Sequence, residues 1–277
     1  MSLTSVLREP EVRDLFKERI RVPGGYREPR IVEPPRGNDD AHLGMAFDYA
    51  LRFGMAVRGW GVIRDLQALR GMQRLRSDPA MATQLPLAQA QLDEAFAALA
   101  QFDDGEEIAE ACARACFLLT GIEVAVHTTR KRSRTRALTR GVTRAETREL
   151  AALYRLVPWS KLEPARIASL NPHFGEGSRL VGGAYADLIV DDALIDIKCT
   201  RTTSLRSGDL FQIIGYALLA NRFGINGQED APRVGRVGIY FGRAGALRTF
   251  NLDACVHPAD AADLLDVMLD VAGRAAA

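Results

Sequence analysis

Asp187, Asp196 and Lys198 stand in the stretch ADLIVDDALIDIKCT, residues 186–200, where two apolar runs flank Asp191-Asp192. If Asp191-Asp192 form a two-residue turn, Val190 faces Ala193, Ile189 faces Leu194, Leu188 faces Ile195 and Asp187 faces Asp196. Directly opposed residues have Cβ atoms about 5 Å apart, where like charges repel, so this pair needs a shared proton or a cation. A hard divalent ion with oxygen ligands fits it. The strand period of two puts Leu194, Asp196 and Lys198 on one face. It sends Ile195, Ile197 and Cys199 to the other, the expected core. Two acids beside an ammonium suit attack of metal-activated water on a phosphodiester, with the lysine orienting water or neutralising developing charge. Only four lysines occur among 36 basic residues. Keeping Lys at 198, where the chain otherwise uses Arg, fits a compact point charge.

The same residues resemble a known signature. Asp187, eight intervening residues and then Asp196-Ile197-Lys198 are similar to the acid…(D/E)-x-K pattern of the PD-(D/E)XK nuclease superfamily. Gln212-Ile213-Ile214-Gly215-Tyr216 resembles the Q-x-x-x-Y element of its RecB-like exonuclease branch. Gln212 and Tyr216 lie one helical turn apart and share a face. The branch also places a Gly-x-x-x-His element on an early helix, and Gly44-Met45-Ala46-Phe47-Asp48 occupies a comparable place with aspartate for histidine. The resemblance implies a restriction-endonuclease-like mixed β-sheet flanked by helices, and Mg2+ or Mn2+ held by Asp187, Asp196 and the Ile197 carbonyl. It further implies Asp48 as a third ligand, Gln212 and Tyr216 supporting substrate or lysine, and 5′-phosphate products. The likeness is strongest over residues 180–220.

The elements that must carry these residues divide the chain. Its first 170 residues read as mainly helical: LREPEVRDLFKERI, then HLGMAFDYALRFGMAVR behind the capping run Asn38-Asp39-Asp40, then LAQAQLDEAFAALAQF, EEIAEACARACFLLTG and ETRELAALYRLVPW. Beyond residue 171 the period shifts to strands. GSRLVGGAYADLIV and ALIDIKCT form one hairpin, SGDLFQIIGYALLANRFG a helix, VGRVGIYFGRAG and ALRTFNL a second hairpin around Arg243-Ala244-Gly245, and residues 259–272 a last helix. The expected fold is α/β, with a helical N-terminal half and a nuclease-like core over 171–277, or one continuous domain.

Charge adds a second feature. The net charge is +1, yet His127 to Ala145 holds seven basic residues and no acid, leaving −6 elsewhere. Arg130, Lys131, Arg132, Arg134 and Arg136 are therefore candidates for phosphate contact, with DNA the expected partner. A solvated loop is the alternative reading of the block. Gly182-Gly183 could let a nucleic-acid backbone approach closely, and Glu146 or Glu149 could complete the metal site. His127, His173 and His257 stand alone. Cys112, Cys116, Cys199 and Cys255 form no C-x-x-C pair, so buried reduced thiols are expected and no iron–sulfur cluster. No apolar run reaches membrane-spanning length and no signal peptide is recognisable, so a cytoplasmic protein without membrane partners is expected. The reading is a metal-dependent deoxyribonuclease. Alternatives are a non-catalytic nucleic-acid-binding or assembly subunit, or a metal phosphoesterase acting on RNA or nucleotides.

Overall fold

The computed structural model describes residues 2–24, 26–34, 39–61, 63, 66–103, 105–128, 130–228 and 230–275. Two short helices open the chain, α1 (Leu3–Val6) and α2 (Pro10–Arg19), followed by α3 (Asp40–Val57), α4 (Gln67–Ser77), α5 (Leu85–Leu99) and α6 (Glu110–His127). Next come α7 (Lys131–Thr139), α8 (Arg144–Arg155), α9 (Trp159–Leu162), β1 (Ala168–Leu170), α10 (Gly175–Leu180), β2 (Leu188–Val190) and β3 (Ala193–Lys198). The chain closes with α11 (Ser207–Phe223), β4 (Arg236–Phe241), β5 (Ala246–Asn251), α12 (Leu252–Cys255) and α13 (Pro258–Arg274). The strands lie in the order β1-β2-β3-β4-β5. Only the β3–β4 pair is parallel, bridged by the α11 crossover; the other pairs are antiparallel. The expected mixed α/β architecture is present, and its N-terminal half is helical.

The hairpin register is the one the strand period predicts: Leu188 pairs with Ile195, Ile189 with Leu194 and Val190 with Ala193. Asp191 sits in the turn at φ 52°, which aspartate tolerates better than most residues. Its carboxylate accepts hydrogen bonds from the backbone N–H groups of Ala165, Arg166 and Ile167, and Asp192 pairs with Arg236 at 2.5 Å. The two most conspicuous acids of the hairpin therefore fasten its turn and β1.

One expectation about the sheet needs correcting. Both faces are core, not one. Leu188, Val190, Ile195 and Cys199 join a cluster built by α3 to α8, while Ile189, Leu194, Val237 and Ile239 join one built by α1, α2, α11 and α13. The charged face of β3 is thus roofed by α11, and Asp196 is 4% exposed. Strands buried on both faces are what a parallel pair under a crossover helix requires. Residues 177–180, expected to begin a strand, fall within α10, while β1 and α4 were not foreseen. The basic block, read as phosphate binder or solvated loop, is helical over Lys131–Thr139, the helix α7.

Asp39 caps α3 by accepting from the His42 N–H; Asn38, also expected in that cap, lies outside the described residues. A buried ion network ties α3 to the sheet. Arg243, 1% exposed, donates to the Cys199 carbonyl at 3.0 Å, to Glu149 at 2.8 Å and to Asp40 at 3.1 Å. All four cysteines are buried free thiols, and among the described residues no helix is long and apolar enough to cross a membrane.

Candidate functional site

A cavity of about 340 Å³ opens where α3, β2, β3 and α11 meet, and Asp48, Asp187, Asp196, Ile197, Lys198 and Gln212 line it. Each arrives for a local reason. Asp187 precedes β2 on the face that Ile189 continues, and Asp196 and Lys198 alternate with Ile197 along β3. Gly44 and Asp48, four apart on α3, share a helical face and both reach the cavity. Gln212 projects from α11 and donates to the Tyr216 hydroxyl at 3.1 Å, so Tyr216 stands behind it instead of lining the cavity.

The contacts inside are specific. Asp187 Oδ2 accepts the Ile197 N–H at 2.7 Å. Lys198 Nζ lies 2.9 Å from Asp196 Oδ2 and 3.3 Å from Asp209 Oδ1. Asp48 pairs with Arg52 one turn along α3. Arg52 is 3% exposed, and both its Nη1 and Asp48 Oδ1 are buried with no hydrogen-bond partner among the described residues. Glu123 of α6 lines the same cavity and accepts from the Tyr49 hydroxyl at 3.0 Å.

The electrostatics follow from crowding acids in a dry place. Burial, then the charges of Asp196 and Asp48, push the Asp187 carboxyl well above the usual carboxylate range. Burial likewise raises Asp196 and Asp48, although Lys198 and Arg52 oppose it. Burial would lower Lys198, but Asp196 and Asp209 reverse that and raise it, so the ammonium stays charged at neutral pH. Burial pushes the Tyr216 phenol up to about 12, so it remains neutral.

These residues fit a hard divalent cation by donor type: three carboxylates, one with an oxygen left unpartnered, held close enough to raise one another. They do not form a finished cage. Among the described residues no three His, Cys, Asp or Glu side chains are gathered as a cation-ready group. Each carboxylate is instead turned to a protein partner: Asp187 to the Ile197 N–H, Asp196 to Lys198 and Asp48 to Arg52.

A titration consequence can be checked. A carboxyl whose folded pKa lies above its unfolded value of about 3.9 binds more protons folded than unfolded, so it costs stability as pH rises. Asp187→Asn keeps an oxygen for the Ile197 N–H and removes that ionisation. The variant is expected to melt above wild type in metal-free buffer, with the margin growing as pH rises above the unfolded carboxyl value and levelling off above the folded one. The growth is at most about 1.4 kcal/mol per pH unit. Thermal melts at several pH values test it, and a margin that shrinks with rising pH contradicts it.

Other expected participants are placed elsewhere. Arg134 is 6% exposed and donates to the backbone oxygens of Thr128 and Ala80, so it is a structural residue and not a phosphate contact. Arg130, Lys131, Arg132 and Arg136 are exposed around the same helix. Glu149 is held by Arg243, and Glu146 closes a capping box with Thr143 and pairs with Arg140, so neither completes the cavity. Three residues of the site were not foreseen. Arg52 carried a usable signal, four residues beyond Asp48, and so did Asp209, three before Gln212. Glu123 carried none, because only the packing of α6 against α3 brings it in. Comparison of the chain with known protein families, with curated proteins and with solved structures returned no match.

Proposed function

We propose that the chain is a metal-dependent DNA nuclease of the PD-(D/E)XK type. One observation carries the reading: Asp187, Asp196, Lys198, Asp48 and Gln212, separated by up to 164 positions, line a single cavity whose carboxyls are all raised by burial. A fold gains nothing in stability from clustering buried acids, whereas a reaction centre uses them.

A bound Mg2+ or Mn2+ would polarise the phosphate and lower the pKa of water. Asp187, Asp196, Asp48 and the Ile197 carbonyl would hold it. Lys198, fixed between Asp196 and Asp209, orients the attacking water and faces the charge that builds on the phosphoryl oxygens. Arg52 offers an unpartnered N–H to a non-bridging oxygen. The water oxygen bonds to phosphorus as the bond to the 3′-oxygen breaks, leaving a 3′-hydroxyl and a 5′-phosphate. Gln212, steadied by Tyr216, presents its amide to the substrate beside the lysine.

Cation binding has a readout independent of cleavage. A divalent cation at 100 times its Kd should stabilise the native state by about 2.7 kcal/mol. Addition of MgCl2 or MnCl2 should therefore raise the melting temperature of wild type and leave Asp187→Asn nearly unmoved. Equal shifts in both proteins would place the cation elsewhere. Incubation of linear and circular DNA with the purified protein, in Mg2+, Mn2+ or EDTA, tests the activity itself; product from the circle shows that no free end is required.

A further inference from the structure

The cavity of the acids adjoins a second one, of about 370 Å³, and Gln67, Glu123 and Tyr185 line both. The second cavity has an opposite character. Gln67, Arg70 and Arg74 enter it from one face of α4 at the i, i+3, i+7 spacing, and Glu123 and His127 from one face of α6. Gly71, on the same face of α4, permits the close helix packing: a Cβ there would lie 3.3 to 3.4 Å from methyl groups of Val126 and Ile122. The remaining wall is the loop Gly182–Tyr185, where Gly183 has φ +126° and an added Cβ would meet nothing within 4 Å.

Two guanidiniums dominate this space. Arg70 is fixed, with Nη1 2.5 Å from the Tyr185 hydroxyl and its plane 4.6 Å from the Tyr185 ring centroid. Arg74 is exposed, lines the same cavity and makes no ion pair among the described residues. The one acid, Glu123, is turned to the Tyr49 hydroxyl, and burial pushes its carboxyl up, which weakens its negative field. In the sequence His127 is followed closely by the exposed Arg130, Lys131 and Arg132. Guanidinium forks match phosphate oxygens, and a chain of phosphates is the ligand that would want an acidic, cation-dependent cavity beside a basic one.

We infer that the second cavity is a subsite for a backbone phosphate of the same nucleic-acid strand, next to the phosphate that reacts, with Arg74 and Arg70 as its donors. The inference rests on reading the first cavity as a phosphodiester site. It assigns α4, which carries no part of the nuclease signature, a direct role in holding substrate.

The test is fluorescence anisotropy of a fluorescein-labelled 20-nucleotide single-stranded DNA, in EDTA and in CaCl2, over a range of salt concentrations. Full-length wild type is compared with Arg74→Ala and with Arg76→Ala, an exposed neighbour on α4 that bonds Gln89 away from the cavity. Arg74→Ala should bind about 10-fold more weakly and lower the salt slope by about 0.7, the amount one lost phosphate contact removes from single-strand binding. Arg76→Ala should bind as wild type. Wild type that does not bind, Arg74→Ala that binds as wild type, or equal loss in Arg76→Ala overturns the subsite. Cleavage scored in Mg2+ separates the two readings. A protein that binds through Arg74 and never cleaves keeps the subsite and refutes the nuclease; one that cleaves without need of Arg74 does the reverse.

Discussion

Lys198→Arg is expected to fold as wild type does and to cleave DNA at least about 100-fold more slowly, and Lys198→Met about 1,000-fold more slowly. The arginine variant keeps the positive charge that balances Asp196 and Asp209, so its melting temperature should fall little. What it changes is shape. A compact ammonium within 2.9 Å of one carboxylate and 3.3 Å of another becomes a longer planar fork, which the cavity between β3 and α11 cannot seat in the same place. In a chain with 36 basic residues of which four are lysine, retention of wild-type rates by Lys198→Arg would deprive the lysine of its proposed role. Single-turnover rates on a labelled oligonucleotide, with thermal melts of the same samples, separate the chemical loss from a folding loss.

Arg243→Met should be the most destabilising single change away from the cavity, costing about 3–5 kcal/mol. Its guanidinium is 1% exposed and joins the Cys199 carbonyl at the end of β3, Glu149 on α8 and Asp40 at the start of α3. The substitution leaves Glu149, 3% exposed, without its guanidinium and loosens the junction that sets Asp48 of α3 against Asp187 and Asp196. A fall in melting temperature on the order of 10 °C is expected, with cleavage falling too. Arg243→Met combined with Glu149→Gln should recover part of the stability, because the buried charge is then gone. A single variant that melts within 2 °C of wild type, roughly the effect of 1 kcal/mol or less, would show that the network contributes little.

The acidic hairpin was legible because its charges and its period coincide. A two-residue turn fixes the register, and a period of two then decides which side Asp196 and Lys198 share, with no knowledge of the rest of the fold. Gln212 and Tyr216 were legible for the same reason on a helix. What escaped was whatever depends on distant packing. The covering of the Asp196 face by α11 is set by the β3–β4 crossover, which no local pattern in the hairpin reveals. Helix α4 carries three arginines and a glycine in its 11 residues, a composition that reads as a loop until Gly71 is seen to lie against α6. Strand β1 is three residues long and is a strand only by its pairing with β2, with Asp191 holding the residues just before it. Arg134 looked like its neighbours in the basic block, but its helix turns it inward onto backbone oxygens. Charge counts along a sequence cannot distinguish the two sides of a helix that has not yet been placed.

The most direct test of the central claim is hydrolysis of DNA by the purified protein in Mg2+ or Mn2+, with Asp196→Asn measured beside it. Asp196→Asn exchanges a buried carboxylate for an amide of nearly equal size, so it should remain folded and lose activity by about 1,000-fold or more. The account predicts 5′-phosphate products with wild type, none in EDTA, and almost none with the variant. DNA left intact by wild type in both metals, or cut as fast by Asp196→Asn, would contradict it.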